Sequence, residues 1–276
     1  LNIFKFLHSV TFFLLFTFGA SQYLDIANKH YQNRSLNSNE NFADTTEIAL
    51  AIENYLKSVN SNDLEANLGL LKSYYFKGKY CQLSEEESLE LFKKGKDLGQ
   101  KKINEYPNRA DIRYWYLVNL GSWAEISGIV AAAREGLADQ MKMHAEKIIK
   151  IDPLYADGGG YLMLGVVHFK TPYIPFFLSW PSNDEAIKWL RLSVGTGSAT
   201  FSQNIYYAQS MLKDGKEEEA IDLLNKIIQE SSSSNLSVED WDQVKKAKNI
   251  LNIFFLTHRT IILKNKITFH GNISSR

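Results

Sequence analysis

The chain of 276 residues has one cysteine, Cys81, five prolines, and 31 basic residues balanced by 31 acidic ones. A single thiol excludes an internal disulfide and any zinc site built on cysteines. Zero net charge favours neither nucleic acid nor an anionic membrane over another partner. The six histidines, His8, His30, His144, His168, His258 and His270, never fall at metal-ligand spacing, and no H-E-x-x-H occurs. The phosphate loop G-x-x-x-x-G-K-[ST], the dinucleotide fingerprint and the G-x-S-x-G elbow are missing too. Gly158-Gly159-Gly160 stands where a helix start would attract an anion, but no lysine or hydroxyl residue follows at the needed place. Asp111, Asp157, Asp184 and Glu185 sit at helix starts, where capping accounts for a carboxylate. These absences leave no catalytic constellation, so the sequence predicts a protein that is not an enzyme and uses no cofactor or metal.

What the chain does have is helical periodicity. Residues 1–20 pair a weakly basic start (Lys5, His8) with an apolar run, Val10 to Phe18, and small residues Gly19 and Ala20. That pattern is an export signal, or an uncleaved N-terminal membrane anchor, although the run is short for a full span. Residues 21–43 are polar and rich in asparagine and read as a linker. From residue 44 to 253 apolar residues recur at helical spacing between turn and capping signals. Asp44, Ser84, Ser182 and Ser237 open helices, with Ser84–Glu87 and Ser182–Glu185 spaced as capping boxes. Gly95 and Gly99, four apart, mark a close helix crossing. Residues 254–276 contain no acid and no alanine, and read as a disordered or unrelated tail.

The most distinctive stretch runs from Ile151 to Leu192. Ile151-Asp152-Pro153 ends one helix and starts the next, with Asp152 as the cap. Tyr161, Leu164, Gly165 and His168 form one helix face with a small residue where another helix must come close. An apolar loop follows, stiffened by Pro172, Pro175 and Pro181, and then a helix with Ala186, Ile187, Trp189 and Leu190 on its buried side. Helix pairs joined through small residues in this order are those of the tetratricopeptide repeat. The predicted fold is all-α, a tetratricopeptide-like right-handed superhelix of stacked antiparallel helix pairs. Ala208, Gly215, Ala220 and Leu224 give its most regular repeat. The loop separates Gly165 from Ala186 by more than a standard repeat allows. Either it folds back to plug its own superhelix, or it is an interaction surface.

Tyr114, Trp115, Trp123, Phe176, Phe177 and Trp180 are the candidate binding residues. They either fill the space between stacked helices or line an aromatic groove for an apolar or amphipathic ligand. Six segments carry a family resemblance: R-A-D-x-R-Y-W-Y from Arg109, I-D-P from Ile151, Y-L-x-L-G from Tyr161, P-Y-I-P-F-F-L-S-W-P from Pro172, A-I-K-W-L from Ala186, and Y-A-x-x-x-L-K-D-G-K-E-E-E-A from Tyr207. The span from about Asn108 to Leu251 resembles the T-component proteins of tripartite ATP-independent periplasmic (TRAP) transporters. It is also similar to the helical-repeat region of the regulator of microtubule dynamics proteins. The resemblance implies a non-enzymatic exported scaffold, located in the periplasm and associated with a transporter's substrate-binding protein. It further implies a channel for an apolar ligand and a self-associated, trimeric state. A general membrane-anchored scaffold for peptide partners is the alternative. T-components carry a lipid on an N-terminal cysteine, which residues 1–20 lack.

Overall fold

The computed structural model describes residues 21–59, 63–128, 136–176, 178–232 and 236–271, with the backbone alone for 258–271. The expected export signal at 1–20 lies outside the described residues. Among the described residues eleven helices follow one another: α1 (21–32), α2 (Thr45–Ser58), α3 (Leu64–Tyr80), α4 (Glu85–Glu105), α5 (Ala110–Ser127), α6 (Leu137–Ile151), α7 (Gly159–Lys170), α8 (Asn183–Val194), α9 (Phe201–Lys213), α10 (Glu217–Ser231) and α11 (Val238–Gly271). Each packs on the next, so neighbours run antiparallel. The predicted all-α superhelix of helix pairs is what the chain forms.

Helix starts follow side-chain caps. Asp44 accepts the Thr46 N–H at 2.8 Å. Ser84 and Glu87 form the full reciprocal box, and so do Thr200 and Gln203. Such a cap typically contributes about 1 kcal/mol by pairing helix N–H groups that have no intrahelical acceptor. Ser182 makes only half of its box, because Glu185 turns away to accept from Trp189 Nε1 at 2.9 Å and to pair with Lys188.

Small residues set the helix crossings. A Cβ added at Gly165 would meet Leu190 Cγ, and Ala186, Ala208 and Ala220 are wholly buried. At Gly95 and Gly99 a Cβ would collide with Asn119 and Tyr116, so α4 and α5 cross there at backbone distance. Asn119 sits under Gly95 and donates to the Leu71 and Trp115 carbonyls at 3.0 and 2.8 Å, tying α3 to α5.

Three expectations need correction. Residues 21–32 are helical rather than part of a linker. Leu24, Ala27 and Tyr31 form a stripe on the core of α2 and α3, and Asn28 accepts the Tyr55 hydroxyl at 2.7 Å. The asparagines that looked like linker residues are in part interhelical hydrogen-bonding groups. Asp152 does not cap a helix at Pro153. It ends α6 and holds a turn by accepting the Leu154 N–H at 3.1 Å. Ala156, Asp157 and Gly158 then take left-handed conformations (φ 50°, 52° and 83°) before α7 begins at Gly159. Glycine is required next, because a Cβ at Gly159 or Gly160 would strike Tyr114 or Ile148. Finally, α11 does not stop near residue 253. Its backbone stays helical to Gly271, and no proline or glycine interrupts the sequence before that point.

Candidate partner-binding groove

The odd-numbered helices α3, α5, α7, α9 and α11 touch one another in series, and the even-numbered ones lie outside them. The last turns of α3, α5, α7 and α9 share one edge of the array. Lys79 at the end of α3 and Lys170 at the end of α7 both approach Glu125 of α5, at 3.9 and 3.7 Å. Lys213, which ends α9, lies 5.4 Å from the Phe169 ring centroid of α7. Ion pairs this exposed contribute little energy, but they fix where the helix ends lie.

Half-buried aromatic rings line this inner layer. Tyr75 of α3 lies 5.9 Å from both Tyr80 and Trp115, and its hydroxyl is 3.3 Å from that of Tyr80. Trp115 meets Tyr114 edge-on at 5.6 Å and carries the Lys72 ammonium over its face at 5.9 Å. Further along, Tyr206 of α9 receives Phe169 edge-on at 6.5 Å and Lys170 at 5.8 Å. Burial pushes the phenols of Tyr75, Tyr80 and Tyr206 well above their ordinary range and Tyr114 to about 12. Tyr75 is raised further by Tyr80, Tyr114 and Tyr206. Burial also lowers Lys72 from its usual value. The groove therefore offers aromatic faces, neutral hydroxyls and lysine ammoniums together, a surface suited to apolar anchors with polar edges.

The two ends of the array meet beside this groove. Arg34, just after α1, donates twice to Glu239 Oε1 of α11, at 3.0 and 2.7 Å, and lies 4.7 Å over the Tyr31 ring. Lys245 of α11 reaches Asn41 at 3.4 Å and covers Phe42 at 5.4 Å. Val238 is buried in the same cluster as Ala27, Tyr55 and Phe76.

Of the six sequence candidates, the structure brings Tyr114 and Trp115 together in the groove and disperses the rest. Trp123 lies at the α4 side under Lys96, 4.2 Å from its centroid. Trp180 is half-buried at the base of the 171–182 loop. There it donates to Asp139 at 2.8 Å, meets His168 edge-on at 5.0 Å and receives Lys142 at 4.8 Å. Phe176 stands fully in solvent, and Phe177 lies outside the described residues. The described tip of the loop, Tyr173 and Phe176, therefore lies outside the superhelix, while Leu178 is buried and Trp180 packs on the core. Tyr75 and Tyr206, central to the groove, were missed by the sequence reading.

Elsewhere the chemistry is quiet. Among the described residues no three His, Cys, Asp or Glu side chains gather to hold a metal ion. Cys81 is buried, which raises its thiol to about 11. Arg113 donates to His144 Nδ1 at 2.7 Å; burial first, and then this cation, lower His144 to about 4. An open cleft of about 510 Å3 on the outer layer, between α8 and the α9–α10 turn, is lined by Ile187, Leu192 and the paired Asp214 and Lys216.

A solved structure, that of a thermophilic tetratricopeptide-repeat protein from Thermus thermophilus, superposes with a TM-score of 0.56. The overlap covers 83% of this chain and 98% of that one at 13% identity, so the likeness is one of fold. No sequence among the curated proteins matches the chain. The profile described as "Regulator of microtubule dynamics protein 1-3" matches residues 30–254, from the end of α1 past the end of the packed part of α11. With most of its length matched, groove and closing contacts included, the chain belongs to the regulator of microtubule dynamics protein 1-3 family.

Proposed function

We propose that the protein is a non-enzymatic scaffold whose inner face, centred on Tyr75, Trp115 and Tyr206, holds an amphipathic segment of a protein partner. The observation that carries this reading is the run of half-buried rings and lysines across α3, α5, α7 and α9. Rings with some exposed face keep apolar area in reserve for a partner. Lysines already over rings can turn to a partner's carboxylates or helix C-terminus. A photo-crosslinking residue at Val118, on α5 between Trp115 and Glu125, should capture a protein partner. The same residue at Leu192, on the outer layer, should not. Equal capture from both positions would remove the groove from consideration.

An apolar ligand channel is the second reading, favoured by the shared desolvation of Tyr75, Tyr80, Tyr114 and Tyr206. Native mass spectrometry would show it as a bound small molecule lost in Trp115→Ala. The substrate-binding protein of a TRAP transporter is one candidate partner, with export to the periplasm and self-association into a trimer. Its support is the sequence resemblance alone, and the family match adds nothing to it.

A further inference from the structure

In a stacked helical array each unit contacts its neighbours, and the first and last units need not touch. Here they do. The helices α3, α5, α7, α9 and α11 touch in series, and α11 then returns to the start of the chain. Arg34 donates from Nε and Nη2 to Glu239 Oε1, at 3.0 and 2.7 Å, and its guanidinium lies 5.2 Å from the Phe76 ring centroid of α3. The inner helices thus form a closed circuit, with its last link made across 205 residues of sequence. Tyr75 and Tyr206 keep accessible surface although burial raises both phenols well above their usual range. Rings that face an enclosed space combine those two properties.

The two sides of the closing link are held unequally. On the N-terminal side Arg34 is fixed. It lies over the Tyr31 and Phe76 rings, and Nη1 donates to the Tyr31 carbonyl at 3.2 Å. On the other side α11 is fixed from its second turn onward, where Val244, Ala247 and Leu251 are buried in the cluster of α9 and α10. Its first turn reaches across through Val238 and Glu239, and Lys245 adds a 3.4 Å contact to Asn41. Glu239 Oε2 is buried with no hydrogen-bond partner among the described residues, so the carboxylate is only half satisfied. The Arg34 and Glu239 side chains also stay 25% and 29% exposed, which keeps the worth of the pair small. Such a link is weaker than the apolar crossings inside the array, so it is the one to part first. We infer that the Arg34–Glu239 pair is a latch. Closed, it makes the inner face a ring with no access from the side. Released, it lets the two ends of the array separate and admits a partner segment to Tyr75, Trp115 and Tyr206. What the latch guards rests on the groove reading. The movement at each crossing is small, because the whole array shares it.

The test reads side access with no partner present. Ser122 follows Val118 by one turn of α5, on the face that carries Trp115 and Glu125, and its hydroxyl donates to the Val118 carbonyl at 2.9 Å. In a Cys81→Ser background of the full chain, Ser122→Cys is treated with N-ethylmaleimide and with a maleimide carried on a polyethylene glycol of about 5 kDa. With the latch intact the bulky reagent should react at least about ten-fold more slowly than the small one. Glu239→Arg sets like charge against Arg34 and should raise the bulky-to-small rate ratio at least about five-fold at unchanged helical circular dichroism. Adding Arg34→Glu to it should return the ratio to within about two-fold of the parent. If Glu239→Arg unfolds the chain, Glu239→Gln decides by the same ratio, with a rise of about two-fold expected. A reporter at Leu192→Cys, exposed on the outer layer, should keep one ratio in every folded variant. A ratio at 122 that no variant changes would overturn the latch, as would a swapped pair that fails to restore it or a parallel rise at 192. Capture from Val118 is scored separately, so the groove reading can fail while the latch stands, and the reverse.

Discussion

Two sets of aromatic residues sit on one edge-to-groove axis of the molecule, and they are held in opposite ways. In the groove, Tyr75, Trp115 and Tyr206 each lie against another ring or an ammonium and keep ordinary helical backbone. On the finger formed by the 171–182 loop, Tyr173 and Phe176 make no ring contact among the described residues, and Phe176 has left-handed backbone. The groove rings contribute to stability whether or not a partner is present. The finger tip contributes none, and its base does the holding. Aromatic content alone therefore says little about role. What distinguishes the two sets is whether removing a ring costs stability.

The largest effect should come from the crossing that positions both regions. Gly165→Leu forces a side chain into Leu190, between α7 and α8, which flank the finger. Overpacking at a backbone-close crossing typically costs about 1–3 kcal/mol, and a branched side chain here should cost roughly 3. Thermal melting followed by circular dichroism should show a drop of several degrees, with groove and finger lost together. Trp180→Ala should come next, at about 2 kcal/mol. Trp180 is only half-buried, which places it below the usual cost of a buried tryptophan. It removes the hydrogen bond to Asp139 and the face on which Lys142 rests. Trp115→Ala should cost a similar amount. A Trp180→Ala protein as stable as wild type would break the distinction between base and tip.

Most of the architecture was legible because helical periodicity and capping are local signals. Ser84–Glu87, Gly165 with Ala186, and the turn glycine Gly215 all occupy the places their spacing indicates. The misreadings of residues 21–43 and of the groove share one cause, since each depends on a neighbour distant in sequence. Residues 21–43 look polar, yet Arg34 pairs with Glu239 and Asn28 with Tyr55, so helix α1 is fixed by partners 27 and 205 residues away. Tyr75 and Tyr206 become groove residues only because α3, α5, α7 and α9 line up side by side. The strain at Phe176 has no sequence signal, because Pro-Phe-Phe does not announce a positive φ.

Acid should act on the interior and spare the finger. The unfolded chain protonates His144 near 6.5, whereas the folded protein holds it neutral down to about 4, so the native state binds fewer protons in between. Stability is therefore complete above about pH 6.5 and falls as the pH drops towards 4. Burial lowers His168 as well, in the same direction. Loss on the order of 2 kcal/mol from His144 is expected over that window. Melting temperatures measured from pH 7 to 4 should decline, and His144→Gln should flatten the decline while starting lower at pH 7. A decline just as steep in the variant would place the acid sensitivity elsewhere.

The smallest expected effect is the most diagnostic for the finger. Phe176→Asn replaces a ring that touches nothing with a residue that tolerates left-handed backbone. If the ring were holding the hairpin together, the change would destabilise. If the tip is strained and unpartnered, the change relieves about 0.5–1 kcal/mol and raises the melting temperature by roughly 1–3 °C. Stability should thus rise. A substitution that improves the fold by removing a ring separates the two sets of aromatic residues in this molecule, because removing a groove ring should cost stability. Phe176→Ala should show less gain in stability, since alanine fits a positive φ less well than asparagine.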